Sequence, residues 1–138
     1  MDKEEILSVI QCCGGKDQNN YKLMTSILWI KCLLRGKSPF ERLREKGIDE
    51  IIIYGITELG EMLVQESLNE GYRVVGITDR KVVKGQYDFE NISVLTMDEL
   101  RNYREKHIVV TAVMFWDEIK RELNAQGYDK VIALWELM

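Results

Sequence analysis

The sequence is poorest in proline and histidine, with one of each in 138 residues. A single proline excludes a Pro-rich linker, and ten glycines without a three-residue period exclude a collagen-like chain. Cysteine is also scarce. Cys12, Cys13 and Cys32 are odd in number, two of them are adjacent, and no Cys-x-x-Cys spacing or neighbouring histidine accompanies them. They therefore make neither a disulfide framework nor a zinc site, and are expected as reduced thiols. The vicinal pair Cys12-Cys13 is the oxidation-prone one. No apolar run approaches the roughly 18–20 residues that span a bilayer, so no membrane contact is expected. The start, Met1-Asp2-Lys3-Glu4-Glu5, lacks the basic and apolar regions of a signal peptide, which points to a cytoplasmic location. A net charge of −4 argues against bulk nucleic-acid binding.

What is present is the balance of a globular domain, 46% hydrophobic and 30% charged residues. The charge is uneven. Residues 16–47 carry eight basic against three acidic side chains, whereas residues 48–138 carry ten against seventeen. The basic stretch is interleaved with apolar residues. It reads as a face that docks on an acidic neighbour or meets solvent, rather than a phosphate-binding arm.

The period of the apolar residues changes near residue 48. Before it, Leu23, Ile27, Ile30 and Leu34 recur at helical spacing, widened by Met24 and Leu28. This predicts a helix from about Asn20 to Arg35, closed by Gly36. Ser38-Pro39-Phe40-Glu41 carries an N-cap, a proline at the first helical position and a capping-box acid, which predicts a short helix with Phe40 and Leu43 inward. The first dozen residues, with Ile6, Leu7, Val9 and Ile10, suggest another helix, followed by a loop from Cys12 to Asn20.

From residue 48 strands and helices alternate. Apolar runs at 51–54, 74–77, 92–95, 108–110 and 131–134 predict five strands. Helical stretches are expected from Leu59 to Gly71, from Thr96 to about Glu105 and from Phe115 to Gln126. Residues 80–91 read as a polar loop. Four of the strands are apolar without alternation, as when helices cover both faces of a parallel sheet. The expected fold is a doubly wound, Rossmann-like α/β domain over 48–138, with five parallel strands in the order 3-2-1-4-5. Residues 1–47 form its N-terminal helical segment.

Ligands of such sheets bind beyond the carboxyl ends of the strands, near the point where strand order reverses. After strand 1 comes Gly55-Ile56-Thr57-Glu58-Leu59-Gly60, a variant of the glycine-rich dinucleotide turn. Gly55 permits the tight exit from the strand, and Gly60 permits close packing of the helix. Thr57 replaces the middle glycine, filling space at a pyrophosphate while offering a hydroxyl. Glu58 suits the helix dipole but repels a phosphate. After strand 2, Asp79 lies 24 residues beyond Gly55, near the spacing of the ribose-binding acid. Its alternative role is to cap the next turn. Arg80, Lys81 and Lys84 follow, for a phosphate or for solvent. After strand 4, Thr111 and Ala112 are small enough to leave room for a ligand, and Phe115 and Trp116 open the next helix as pocket lining or core. The one histidine, His107, starts strand 4 and falls at the opposite edge, which leaves Tyr54, Glu58 and Asp79 as the polar candidates.

Ile51 to Gly60, Tyr72 to Asp79, and Ile92-Ser93-Val94-Leu95 leading into Thr96-Met97-Asp98-Glu99-Leu100 carry a resemblance. Together they resemble the small Rossmann-like nucleotide-binding modules of bacterial sugar-nucleotide and glycan-modifying proteins. These include the N-terminal domain of sialic-acid-type acyltransferases and epimerase-like or CoA-binding-like modules. The resemblance spans about residues 48–135. It departs at Thr57 and at Ser93, where those modules have glycine and proline. It implies a site for NAD(P), a nucleotide sugar or CoA near Gly55, Gly60 and Asp79, serving sugar or glycan metabolism.

The expectation is therefore a binding module for a nucleotide or nucleotide-linked ligand. One alternative is a non-binding module acting through protein contacts, including a homodimer through the apolar N-terminal helices around Trp29. Another is an NAD(P)-dependent sugar-nucleotide enzyme.

Overall fold

The computed structural model describes residues 3–6, 8, 19–80, 82, 89 and 92–138. The Cys12-Cys13 pair, Leu7, Val9 and Ile10, the loop residues before Asn19, and Lys81 and Lys84 lie outside the described residues. Residues 3–6 are helical. Helix α1 spans Asn19–Leu34 and α2 spans Pro39–Glu45. They precede β1 (Glu50–Tyr54), α3 (Glu58–Glu70), β2 (Arg73–Thr78), β3 (Ser93–Val94), α4 (Met97–Leu100), β4 (His107–Val110), α5 (Trp116–Ala125) and β5 (Val131–Ala133). Short 3₁₀ turns follow α4, precede α5 and follow β5.

The five strands form one parallel sheet in the order β3-β2-β1-β4-β5, the expected doubly wound arrangement. Side chains of a strand alternate between faces. Ile51, Ile53 and Val109 therefore join Trp29, Phe40, Leu43, Leu63 and Val64, from α1, α2 and α3, on one face. Ile52, Tyr54, Ile108 and Val110 join Leu100, Ile119 and Leu123, from α4 and α5, on the other. Both faces being covered is the reason the strand sequences show no polar alternation.

Local sequence explains the element starts. Ser38 Oγ accepts from the Phe40 N–H at 3.1 Å, and Pro39 occupies the first helical position. Phe40 and Leu43 are fully buried, each stabilising by about 2 kcal/mol relative to exposure. Thr96 and Glu99 form a reciprocal capping box at the start of α4.

Two elements depart from the sequence pattern. The face of α1 that enters the core is Met24, Leu28 and Trp29. The stripe Leu23, Ile30 and Leu34 faces outward at 50%, 57% and 83% exposure. This helix is apolar nearly all round, so its period does not select a face. The partners do: Trp29 Nε1 donates to Glu66 Oε2 of α3 at 2.8 Å, and Met24 and Leu28 pack with Ile6. The second departure is α4, a four-residue helix followed by a 3₁₀ turn rather than a helix to residue 105. Leu100 is the one fully buried side chain between Met97 and Arg104. A single anchor does not supply the packed stripe that holds a longer helix in water.

The helical segment is tied to the far side of the sheet by aromatic contacts. Tyr21 of α1 stacks on Trp135 with centroids 5.0 Å apart, and Trp135 meets Trp116 of α5 edge-on at 5.4 Å. Each such pair contributes about 1 kcal/mol beyond its buried area. Tyr21 Oη also donates to Asp117 Oδ2 at 3.2 Å. Trp116 is thus core, while Phe115 is 43% exposed. Among the described residues, no helix is long and apolar enough to cross a membrane.

Candidate functional site

β1 leaves the sheet at the reversal of strand order, between β2 and β4. The turn there is built around close backbone approach. Gly55 has φ +131°, and a Cβ on it would lie 2.5 Å from both the Ala112 nitrogen and Thr111 Oγ1. A Cβ on Gly60 would collide with the Gly55 carbonyl oxygen and come within 3.0 Å of Thr111 Oγ1. Both glycines are therefore required by the protein's own packing. Thr111, 1% exposed, donates its hydroxyl to the Gly55 carbonyl at 2.8 Å and its N–H to the Tyr54 carbonyl at 2.9 Å.

The turn's other polar groups are also committed internally. Thr57 is the N-cap of α3, its hydroxyl accepting from the Gly60 N–H at 3.2 Å. Asp79 Oδ2 accepts from the Ile56 N–H at 2.8 Å, and Oδ1 accepts from the Arg80 N–H at 2.7 Å. Two N–H groups that a diphosphate would use are thus occupied, one of them by a carboxylate. Glu58 projects into solvent and lies 3.6 Å from Lys22 of α1, and Leu59 is buried in the core. The cavity beside the turn, lined by Lys22, Thr57, Thr111, Ala112 and Phe115, holds about 90 Å³. Small-molecule sites usually offer ~300–1,000 Å³.

The structure thus gathers Gly55, Ile56, Thr57, Gly60, Asp79, Thr111 and Ala112 at one edge, turns Leu59 inward, and sends Arg80 elsewhere. The Arg80 side chain reaches α5. Its Nη2 lies 3.4 Å from Glu118 Oε2, its Nε lies 3.4 Å from Glu122 Oε2, and its guanidinium sits 6.0 Å from the Phe115 ring centroid. It crosses beside Tyr54, whose hydroxyl is pushed up to about 12 by burial and then by Asp79. That phenol is neutral at physiological pH and available as a donor.

Tyr54 and Arg80 open a larger groove between α4 and α5, of about 800 Å³. Its other walls are Met97, Asp98, Arg101 and Arg104 on one side and Glu122, Gln126 and Tyr128 on the other. The groove lies between the four-residue α4 with its 3₁₀ turn and α5. Of its lining, sequence reasoning singled out Tyr54 and Arg80. It missed Arg101 and Arg104, whose three-residue spacing within a segment expected to be helical was the available signal.

His107 begins β4 opposite Ile51, at the amino edge of the sheet, and lines neither cavity. Burial and then Lys130 lower its affinity for a proton. Cys32 is half-buried, and burial raises its thiol above the ordinary value, so it is held as the inert thiol. Among the described residues, no group of three or more metal-ligating side chains is positioned to hold an ion.

Residues 47–132 match the family described as C2185-like, N-terminal. No curated protein and no solved structure matches the chain. The matched stretch runs from the second residue after α2 into β5, takes in the whole lining of the larger groove and all of the described lining of the smaller cavity except Lys22, and covers more than half of the chain. On that match, the chain belongs to the C2185-like, N-terminal family.

Proposed function

We propose that the chain is a binding module for a nucleotide or nucleotide-linked ligand of the NAD(P), nucleotide-sugar or CoA class. The ligand is held in the groove between α4 and α5. The observation that carries this reading is the placement of that groove. One end of it, at Tyr54 and Arg80, lies at the carboxyl ends of β1 and β2 beside the reversal of strand order; from there it runs between α4 and α5 toward Arg104 and Tyr128, which precede β4 and β5, and its volume is in the range of small-molecule sites. Arginines along it suit phosphates, and the thioether of Met97 and the ring of Tyr128 suit an apolar or aromatic moiety. In this reading the glycine turn is a rigid support rather than a phosphate cradle. Asp79, held by two backbone N–H groups, is not part of the groove's lining and braces the turn beside Arg80.

Thermal unfolding with NAD, NADP, a uridine diphosphate sugar and CoA tests the reading. A ligand at ~100 times its dissociation constant should stabilise the fold by about 2.7 kcal/mol. Absence of any shift across the four at millimolar concentration refutes it.

A second reading, a homodimer through the N-terminal helices, is favoured by the exposed Leu23, Ile30 and Leu34. Light scattering decides it: a dimer that Ile30→Lys dissociates supports this reading, and a monomer at all concentrations removes it.

A further inference from the structure

We infer that Arg101 and Arg104 form a clamp for a phosphoryl group in the groove between α4 and α5. This assigns the anionic pole of the ligand to that end of the groove and rests on the groove being the ligand site.

The geometry begins with the 3₁₀ turn Arg101–Tyr103 that follows α4. In 3₁₀ geometry side chains at i and i+3 eclipse one another, so Arg101 and Arg104 project from the same side. Both line the groove. Arg104 is oriented by the ring of buried Tyr128, with its guanidinium carbon 5.6 Å from the centroid. Arg101 has Asp98 at 3.6 Å, but both side chains are more than two-thirds exposed, so the pair is weak and open to exchange.

The opposite wall leaves these cations available. Glu122 is the acid of α5 that faces the groove, and it is drawn to Arg80 at 3.4 Å. Arg80 is in turn balanced by two carboxylates, Glu118 and Glu122. The charge of Arg80 is thus more than offset by these two carboxylates, and the positive pole lies at Arg101 and Arg104. Gln126, on the wall facing them, adds an amide donor. Two planar guanidinium forks supply more donors than one carboxylate accepts, and match the several oxygens of a phosphoryl group. The groove is far larger than a phosphate, so the anion is one end of a bigger molecule.

Isothermal titration of the full chain with inorganic pyrophosphate and with inorganic phosphate tests the clamp. The variants are Arg101→Gln/Arg104→Gln, Arg101→Lys/Arg104→Lys and the charge-matched control Lys120→Gln/Arg121→Gln on the exposed side of α5. Pyrophosphate should bind the wild type and the control alike. The glutamine pair should lose at least tenfold, and the lysine pair should recover only part of that loss. Circular dichroism checks that each variant is folded, and the pairs substitute surface side chains. Absence of pyrophosphate and phosphate binding by wild type at 10 mM, or equal binding by the glutamine pair, overturns the clamp. The two proposals fail separately. Pyrophosphate binding that depends on both arginines, with no nucleotide-linked probe bound, supports the clamp and removes the nucleotide reading. Nucleotide binding that survives the glutamine pair removes the clamp alone.

Discussion

Gly60→Ala tests the closeness of α3 to the sheet. Replacing glycine by alanine inside a helix ordinarily gains about 1 kcal/mol from propensity. Here the added methyl would collide with the Gly55 carbonyl oxygen, a backbone atom with nowhere to go, and crowd Thr111 Oγ1 at 3.0 Å. The helix start must back away. That movement strains packing by about 2 kcal/mol, weakens the Thr57 cap by about 1 kcal/mol and disturbs the Thr111 bond to Gly55 by about 1 kcal/mol. The expected net effect is a loss of about 3 kcal/mol. With a urea dependence of about 2 kcal/mol per molar, the unfolding midpoint should fall by about 1.5 M with its slope unchanged. Gly71→Ala, at the other end of α3, is the control. Its φ is +64° but a Cβ there meets nothing within 4 Å, so it should cost only about 1 kcal/mol. Adding Thr111→Ala to Gly60→Ala should not restore stability, because the carbonyl contact remains. A Gly60→Ala protein as stable as wild type would refute the claim that packing, and not a ligand, demands this glycine.

Three further outcomes follow from the structure. Asp79→Asn should destabilise the ligand-free protein by about 1–3 kcal/mol in thermal unfolding, since one amide oxygen cannot replace both carboxylate acceptors for Ile56 and Arg80. Unchanged stability would mean that the latch is not formed. Trp29→Phe removes the bond to Glu66 and should cost about 1–2 kcal/mol, while the Glu66 carboxyl, already raised by burial, should titrate higher still by NMR. A downward shift would contradict the assignment. The proton affinity of His107 is lowered in the fold, so the unfolded chain binds that proton more readily. Stability should therefore decline as pH falls from about 6.5 through the folded value, and His107→Gln should flatten that part of the profile. The separate loss from Glu50, whose carboxyl is lowered chiefly by its bond to Lys106, belongs below its ordinary value of 4.5 and should persist in the variant.

Much of the architecture was legible because it is written in short-range chemistry. The β-branched run Ile51-Ile52-Ile53 and its counterparts, the Thr96 capping box, and Ser38-Pro39 each act within a few residues. Right-handed crossovers then restrict how the strands can be ordered, which is why 3-2-1-4-5 could be anticipated. The candidate site was legible only as a location. Gly55, Thr57, Gly60, Asp79 and Thr111 do converge. Their hydrogen bonds go to one another, across 23 residues for Ile56 and Asp79 and 56 for Thr111 and Gly55. No local pattern records such a partner.

The sequence by itself determined that this is a doubly wound parallel sheet with a glycine turn at its reversal of strand order. Strand runs, caps and crossover handedness are sufficient for that. Only the tertiary structure decided three things. It chose the face of α1 that is buried, because a helix apolar all round takes its orientation from its neighbours. It filled the glycine turn with Asp79 and Thr111, because those groups arrive after β2 and β4. And it set Arg101 and Arg104 along one groove with Tyr54 and Arg80, because residues far apart in the chain line it together.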